Sequence, residues 1–333
     1  MALSEVVHTF GQWLLTRHGE RVHKIALDAG FTCPNRDGSN GVGGCTFCNN
    51  ASFRPNAPLD ADACGQDTQP VPVLPLARRK RPAALDAQIA QGRRAVVRRS
   101  RKYIAYFQAY TNTYAEVEQL RKLYDSALES GDVIGLSVGT RPDCVPPAVL
   151  DLLCEYRDQG YEVWLELGLQ SAFDDTLQRV NRGHGWGEYL QTCQAARQRG
   201  LPVCAHLILG LPGESLWHYS QTLARVLDAG VDGLKLHPLH VVRHTVLANQ
   251  WRRGEYTPLT MPQYIEAACG LIEATPWEVL YHRVTGTAPA DMLLEPAWCA
   301  NKWPAMNGIE AELKRRGSRQ GSALACSPEV VCA

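Results

Sequence analysis

Short apolar runs rich in β-branched and aromatic residues recur along the chain at 22–27, 103–108, 133–138, 162–167, 202–209, 233–236 and 278–282. Between them lie stretches with helical apolar spacing, at 115–129, 147–159, 174–180, 189–199 and 217–229. Gly131, Gly160, Gly200 and Gly230 follow several of these stretches, where a glycine closes a helix. Strand-like and helix-like segments in alternation predict an α/β fold with a parallel sheet and crossover helices. In such folds chemistry collects in the loops after the carboxyl ends of the strands.

Two regions break the pattern. Residues 54–82 are rich in Pro, Asp and Ala and read as a loop or insertion. Residues 78–102 are strongly basic, with Arg78, Arg79, Lys80, Arg81, Arg93, Arg94, Arg98, Arg99, Arg101 and Lys102 against the single acid Asp86. Lys314, Arg315, Arg316 and Arg319 form a second basic cluster. The chain from Gly321 onward reads as an unstructured tail.

At 333 residues the chain can bury a sizeable core, and its formal net charge of zero singles out no partner. No apolar run reaches the roughly eighteen residues of a membrane span. The first residues lack the basic start and apolar stretch of a secretory signal. Twelve cysteines without such a signal point to a reducing cytoplasm, where thiols bind metal or sit buried. Cys154, Cys193, Cys204 and Cys269 fall in apolar stretches and read as small buried hydrophobes.

Cys33, Cys45 and Cys48 are different. They lie in a glycine-bearing loop directly after the first strand-like run. Three thiolates facing one point can hold three irons of a [4Fe–4S] cube and leave the fourth iron open. Gly38, Gly41, Gly43 and Gly44 let the backbone approach a bulky ligand and adopt positive φ. A Cys-x2-Cys pair also serves zinc, and Cys64, sixteen residues past Cys48, would complete a four-cysteine site. The loop alone leaves both open. Downstream stand Glu166-Leu-Gly-Leu-Gln170-Ser171, then Arg182 in Asn-Arg-Gly-His, then His206-Leu-Ile-Leu-Gly-Leu-Pro-Gly213. Taken singly, these read as a helix cap, a surface cation and a turn.

Taken together and in this order, they resemble the radical S-adenosylmethionine family. The resemblance is to the branch that includes the Elongator catalytic subunit and the YhcC and YtqA group. It runs over about residues 20–320 and takes in Thr32-Cys33-Pro34-Asn35-Arg36-Asp37-Gly38, Cys45-Thr46-Phe47-Cys48, Tyr106 to Tyr114, Gly139-Thr140-Arg141-Pro142-Asp143 and Gly233 to Pro238. Eleven residues separate Cys33 from Cys45, in place of the family-wide three, and this longer loop is similar to that of the branch. The resemblance implies a partial six-unit (β/α) TIM-like barrel over residues 1–285, with 54–102 as an insertion. A short C-terminal extension over 286–320 and a tail over 321–333 would follow. It implies that Cys33, Cys45 and Cys48 ligate a [4Fe–4S] cluster. S-adenosylmethionine would meet Phe47 at its adenine, backed by residues 209–212. Gln170 would meet its ribose, Arg182 its carboxylate, and His206 the ribose hydroxyls. Tyr110, Thr111 and Asn112 stand where many relatives carry Gly-Gly-Glu to hold the amino group. The implied chemistry is reductive cleavage of S-adenosylmethionine to a 5′-deoxyadenosyl radical that takes hydrogen from substrate, fed by a one-electron donor such as flavodoxin or ferredoxin.

For the substrate, Lys235, His237, His240, His282 and Arg283 lie at the ends of the last strands and together make a cationic, proton-handling wall, with Tyr110, Asn112 and Tyr114 on the opposite side. Branch members modify the wobble uridine of transfer RNA, and the two basic clusters suit phosphates as well as a solvated helix face. The chain ends about fifty residues after its last strand-like run, so an acetyltransferase domain is not expected. Three readings follow: a radical enzyme acting on transfer RNA, a radical enzyme acting on a small metabolite or protein, and a zinc-stabilised binding module.

Overall fold

A computed structural model describes residues 3–49, 84–96 and 100–324. Seven strands form one all-parallel sheet: β1 (Val22–Leu27), β2 (Lys102–Phe107), β3 (Val133–Thr140), β4 (Glu162–Gln170), β5 (Val203–Leu209), β6 (Gly233–Pro238) and β8 (Leu280–Arg283). A two-residue strand β7 (Val241–Val242) pairs antiparallel with β9 (Leu293–Glu295). The first six strands are the expected β/α units, and β8 extends the sheet on the β6 edge. The sheet is strongly curled. Lys24 on β1 and His282 on β8 approach to 3.1 Å although they sit on the two edge strands. In a flat sheet, six steps of about 4.8 Å would hold them roughly 29 Å apart.

The outer face of the sheet is covered by helices α4 (Val117–Leu128), α5 (Pro147–Asp158), α7 (Trp186–Gln198), α8 (Leu216–Asp228) and α10 (Met261–Glu273). Their apolar faces pack on strand residues such as Phe107, Leu136, Leu167 and Leu236 in one continuous core. Gly160, Gly200 and Gly230 end α5, α7 and α8 with left-handed φ, whereas Gly131 lies in a turn without it. Cys193, Cys204 and Cys269 are buried and Cys154 is half-buried.

The inner face is layered, because every second strand residue points inward. Val22, Ile104, Trp164, Cys204 and Leu280 meet α1 (Phe10–His18) in an apolar floor. Two residues further along the same strands come Lys24, Tyr106, Glu166, His206 and His282, an ionisable layer. Two residues beyond, Gln108, Gly168 and Ile208 border an open cavity. Helix α1 thus plugs one end of the half-barrel, and the carboxyl ends of the strands open at the other.

Several elements lie outside the sequence reading. Helix α3 (Leu85–Val96) occupies part of the basic run, buries Ile89 and packs on β1. There Arg93 pairs with Asp132, and Lys102 with Glu20 at 3.1 Å, so two of the ten cations serve the fold. Arg78, Arg79, Lys80, Arg81, Arg98 and Arg99 lie outside the described residues, as does Cys64. Helices α9 (Val246–Arg252) and α11 (Lys302–Arg315) belong to the C-terminal layer. The start of the expected tail is packed: Gly321 and Ala323 donate to the carbonyls of Ile272 and Glu273 on α10. No helix among the described residues is long and apolar enough to cross a membrane.

Candidate active site

The cysteine loop leaves β1 and starts the one-turn helix α2 (Pro34–Asp37) directly after Cys33. Two side chains organise it, Asn35 buried and Arg36 half-buried. Asn35 donates from Nδ2 to the Asn181 carbonyl at 2.5 Å and faces the Cys45 sulfur at 3.8 Å. Arg36 donates to the Cys48 carbonyl. A Cβ at Gly41 would meet Asn35 Oδ1 at 2.3 Å, and one at Gly44 would meet Arg36 Nε at 2.6 Å. These two glycines therefore make room for the loop's own side chains. The loop's far end is pinned by backbone bonds, Thr46 N to Val180 O and Leu247 N to Thr46 O, both 2.9 Å. Phe47 packs against an apolar cluster that includes Leu211, Leu239, Val241 and Leu247.

Cys33, Cys45 and Cys48 line one side of a cavity of roughly 200 Å³ at the mouth of the half-barrel. Phe47, Tyr110, Thr111, Gln170, Arg182, His206, His237, His240 and Arg283 border the same space. Arg182 is buried; it donates to the Gly168 carbonyl at 2.5 Å, points Nη1 at the Cys45 sulfur at 3.6 Å, and leaves Nε without a partner. A Cβ at position 168 would meet Arg182 at 2.8 Å and Gln170 at 3.0 Å, so glycine there lets the two converge. Arg141, paired with Asp143 at 2.7 Å, holds the Arg182 carbonyl at 2.7 Å. Tyr110 and Gln170 both take positive φ, 66° and 80°. That conformation costs a side-chain-bearing residue about 1–2 kcal/mol and is held by the surrounding structure.

Four expected site residues lie elsewhere. Asn112 is fully buried and ties β2 to β3, donating to the carbonyls of Phe107 at 3.0 Å and Gly139 at 2.7 Å. Tyr114 hydrogen-bonds Ser39 at 2.7 Å in a separate outer depression. Lys235 and His282 belong to the ionisable layer under the cavity. At its centre is Glu166, which faces Lys24 at 2.6 Å, Ser137 at 2.5 Å, His206 at 2.7 Å and Lys235. Lys235 also reaches the Tyr106 hydroxyl at 2.9 Å, and His282 stacks on Phe10 at 3.9 Å. Burial alone would raise the Glu166 pKa; Lys235 and Lys24 override it and hold the carboxyl well below its usual range. Burial pulls Lys24 down to about 8 against the pull of Glu166. Burial, then Lys235, push His206 down to about 4, so it is neutral near pH 7 and its Nε2–H donates to Glu166.

Residues 33–226 match the radical SAM superfamily, and residues 231–315 match the radical SAM C-terminal domain. The chain belongs to the radical S-adenosylmethionine superfamily. Protein YhcC of Escherichia coli K12 is 49% identical over 324 residues, 97% of either chain. YtqA of Bacillus subtilis is 38% identical over 314 residues, 94% of this chain and 91% of that one. A tRNA uridine(34) acetyltransferase of Methanocaldococcus infernus is 25% identical over 182 residues, 54% of this chain and 33% of that one. The structure of the archaeal Methanocaldococcus infernus Elp3 shares the fold, with a TM-score of 0.63 at 20% identity over 90% of this chain and 64% of that chain. The chain is thus a radical SAM enzyme, of a family that uses S-adenosylmethionine and a [4Fe–4S] cluster and requires a reductant.

The cysteine side of the cavity fits such a cluster better than a zinc ion. Thiolates around one zinc, each at about 2.3 Å, would lie about 3.8 Å apart. The three sulfurs here do not all come within 4.8 Å of one another. Burial, with Cys45 and Cys33 adding to it against Arg36, pushes the Cys48 thiol up to about 12. A metal centre that bonds the thiolate removes that penalty. Asn35 and Arg182 are donors of the kind that stabilise cluster sulfurs. The buried Nε atoms of Arg36 and Arg182 have no partner and border the same space.

Proposed function

We propose that Cys33, Cys45 and Cys48 hold a [4Fe–4S] cluster, that S-adenosylmethionine binds beside it, and that the enzyme acts on the wobble uridine of a transfer RNA. The observation that carries the first part is that the three sulfurs, not all within 4.8 Å of one another, share the wall of a cavity bordered by Arg182, Gln170 and Phe47. Together the two cofactors supply a carbon-centred radical able to take a hydrogen atom. The chain's own residues position and shield. Arg182 offers a guanidinium to the methionine carboxylate. Phe47 offers a ring face to the adenine, and Gln170 and His206 offer polar groups to the ribose. The apolar floor and Glu166 layer close the far end of the half-barrel and keep bulk water from that side. The RNA substrate is supported by relatives that carry uridine(34) of tRNA in their names.

The test is anaerobic reconstitution with iron and sulfide, followed by dithionite and S-adenosylmethionine. 5′-Deoxyadenosine is then assayed with and without bulk transfer RNA. Formation that requires all three cysteines supports the radical reading, and a rise with RNA supports the substrate. A colourless protein with one zinc per chain overturns both. Turnover indifferent to RNA redirects the search to a small metabolite or a protein, with a flavodoxin or ferredoxin as the donor to try.

A further inference from the structure

The cavity wall that holds Arg283, His237 and His240, together with the layer beneath it, carries more positive charge than its acids balance. Arg283 borders the cavity, Lys24 and Lys235 lie in the layer below, and Glu166 is the single carboxylate among the described residues that meets any of them. Glu166 is committed to both lysines, His206 and Ser137. Arg283 has no acidic partner among the described residues; its one hydrogen bond runs from Nη1 to Nε2 of His237 at 3.3 Å. A guanidinium carries five N–H donors and does not lose its charge, so most of its hydrogen-bonding capacity faces the cavity or solvent.

A second observation is independent of that count. His240 is 93% buried and borders the cavity, yet its Nε2 has no partner. A buried ring nitrogen left unpaired costs free energy that a ligand O–H or N–H recovers. Burial, reinforced by Arg283, depresses both His237 and His240, the latter to about 4. These rings are neutral near pH 7, so each has one N–H to give: His240 uses its own on the Gly286 backbone and keeps Nε2 as an acceptor, His237 accepts from Arg283 at Nε2 and keeps Nδ1–H as a donor, and Arg283 supplies the charge. An arginine flanked by neutral imidazoles suits a planar or tetrahedral oxyanion rather than a metal cation.

We propose that Arg283 and His237 form a subsite for an anionic group of carboxylate or phosphate chemistry carried by the substrate, with His240 Nε2 beside it to accept from a neighbouring O–H or N–H, separate from the group that Arg182 would hold. This rests on reading the cavity as the active site. It narrows the substrate to one that presents an oxyanion at the far wall while its reacting carbon faces the cysteines.

The test uses the reconstituted enzyme with its cluster oxidised and S-adenosylmethionine saturating, so the cofactor's own carboxylate is already in place. Acetate, inorganic phosphate and uncharged acetamide are titrated in chloride-free buffer by calorimetry. Binding of acetate or phosphate but not acetamide is expected, and the better anion names the chemistry. Arg283→Gln should weaken it at least about tenfold, with Arg283→Lys recovering part of the loss. His237→Phe, which keeps a ring and removes the Nδ1–H, should weaken it less. Cluster absorbance and circular dichroism show whether each variant is folded; should Arg283→Gln misfold, the His237 variant decides. Equal binding in wild type and folded variants, or no anion binding at all, overturns the subsite. Anion binding that depends on Arg283 in an enzyme that never forms 5′-deoxyadenosine would instead overturn the radical reading and leave the subsite standing.

Discussion

The two walls of the cavity are built by opposite means. The cysteine wall is local: residues 33–48 fold on themselves through Asn35, Arg36 and close-packed glycines, then clip to Val180 and Leu247 by backbone bonds. The far wall is non-local. Lys24, Glu166, His206, Lys235 and Arg283 come from five different strands. On the proposed reading the first wall receives a metal centre and would gain order from it. The second is held by buried ion pairs among its own side chains.

That difference predicts where each wall breaks. Cys45→Ala should abolish iron retention, brown colour and S-adenosylmethionine cleavage while leaving the global unfolding transition nearly in place. Cys64→Ala should retain all of them, and the pair of variants is read by iron analysis and visible absorbance. If Cys64→Ala loses the metal as completely as Cys45→Ala, the cysteine wall is a four-thiolate site and the contrast fails. Glu166→Gln should do the reverse. It leaves Lys24 and Lys235 buried without their counter-charge, which costs about 3–5 kcal/mol of stability. Urea unfolding at neutral pH measures this. A loss under about 1 kcal/mol would mean that the layer relaxes with water and does not brace the barrel.

How legible each wall is in the sequence follows from the same contrast. The strands were marked by continuous apolar runs, as expected for a sheet buried on both faces. Their ends were not: β3, β4 and β6 continue through Gly139, Gly168 and Pro238, residues that read as punctuation but that here sit within the sheet, Pro238 opposite Leu209 of β5. The cysteine loop announces itself because its ligands are close in sequence and of one rare type. Glu166 does not. It sits among Leu165, Leu167 and Leu169, and nothing local says that Lys24, 142 residues earlier, will meet it. Strand alternation carries a usable signal, since Val22/Lys24, Trp164/Glu166, Cys204/His206 and Leu280/His282 repeat the same apolar-then-ionisable step. Asn112 and Tyr114 were expected at the cavity by their place in a motif; the strand end turns one inward to the backbone and the other outward to Ser39.

The smallest expected effect is a pH dependence confined to the far wall. His206 and His240 have folded pKa values pushed from 6.5 down to about 4 by burial, and His237 and His282 are lowered as well. A depressed histidine leaves the unfolded chain binding more protons between those values. Stability is therefore fully present above about pH 6.5 and is lost as the pH falls toward 4, at about 1.4 kcal/mol per pH unit for each histidine kept neutral. Glu166, whose carboxyl is held well below the usual range, adds its own loss below about pH 4.5, where the unfolded chain takes that proton first, and this loss is common to wild type and variant. His240→Gln removes one of these titrations without adding a charge. Urea unfolding of wild type and variant at matched pH from 7 to 4 should give curves that converge as the pH falls, with the shared acid sensitivity of the cysteine wall cancelling in the difference. Parallel curves would mean that His240 takes its proton freely in the folded state. The far wall would then be open to solvent, not the preformed, water-poor surface that separates it from the cysteine side.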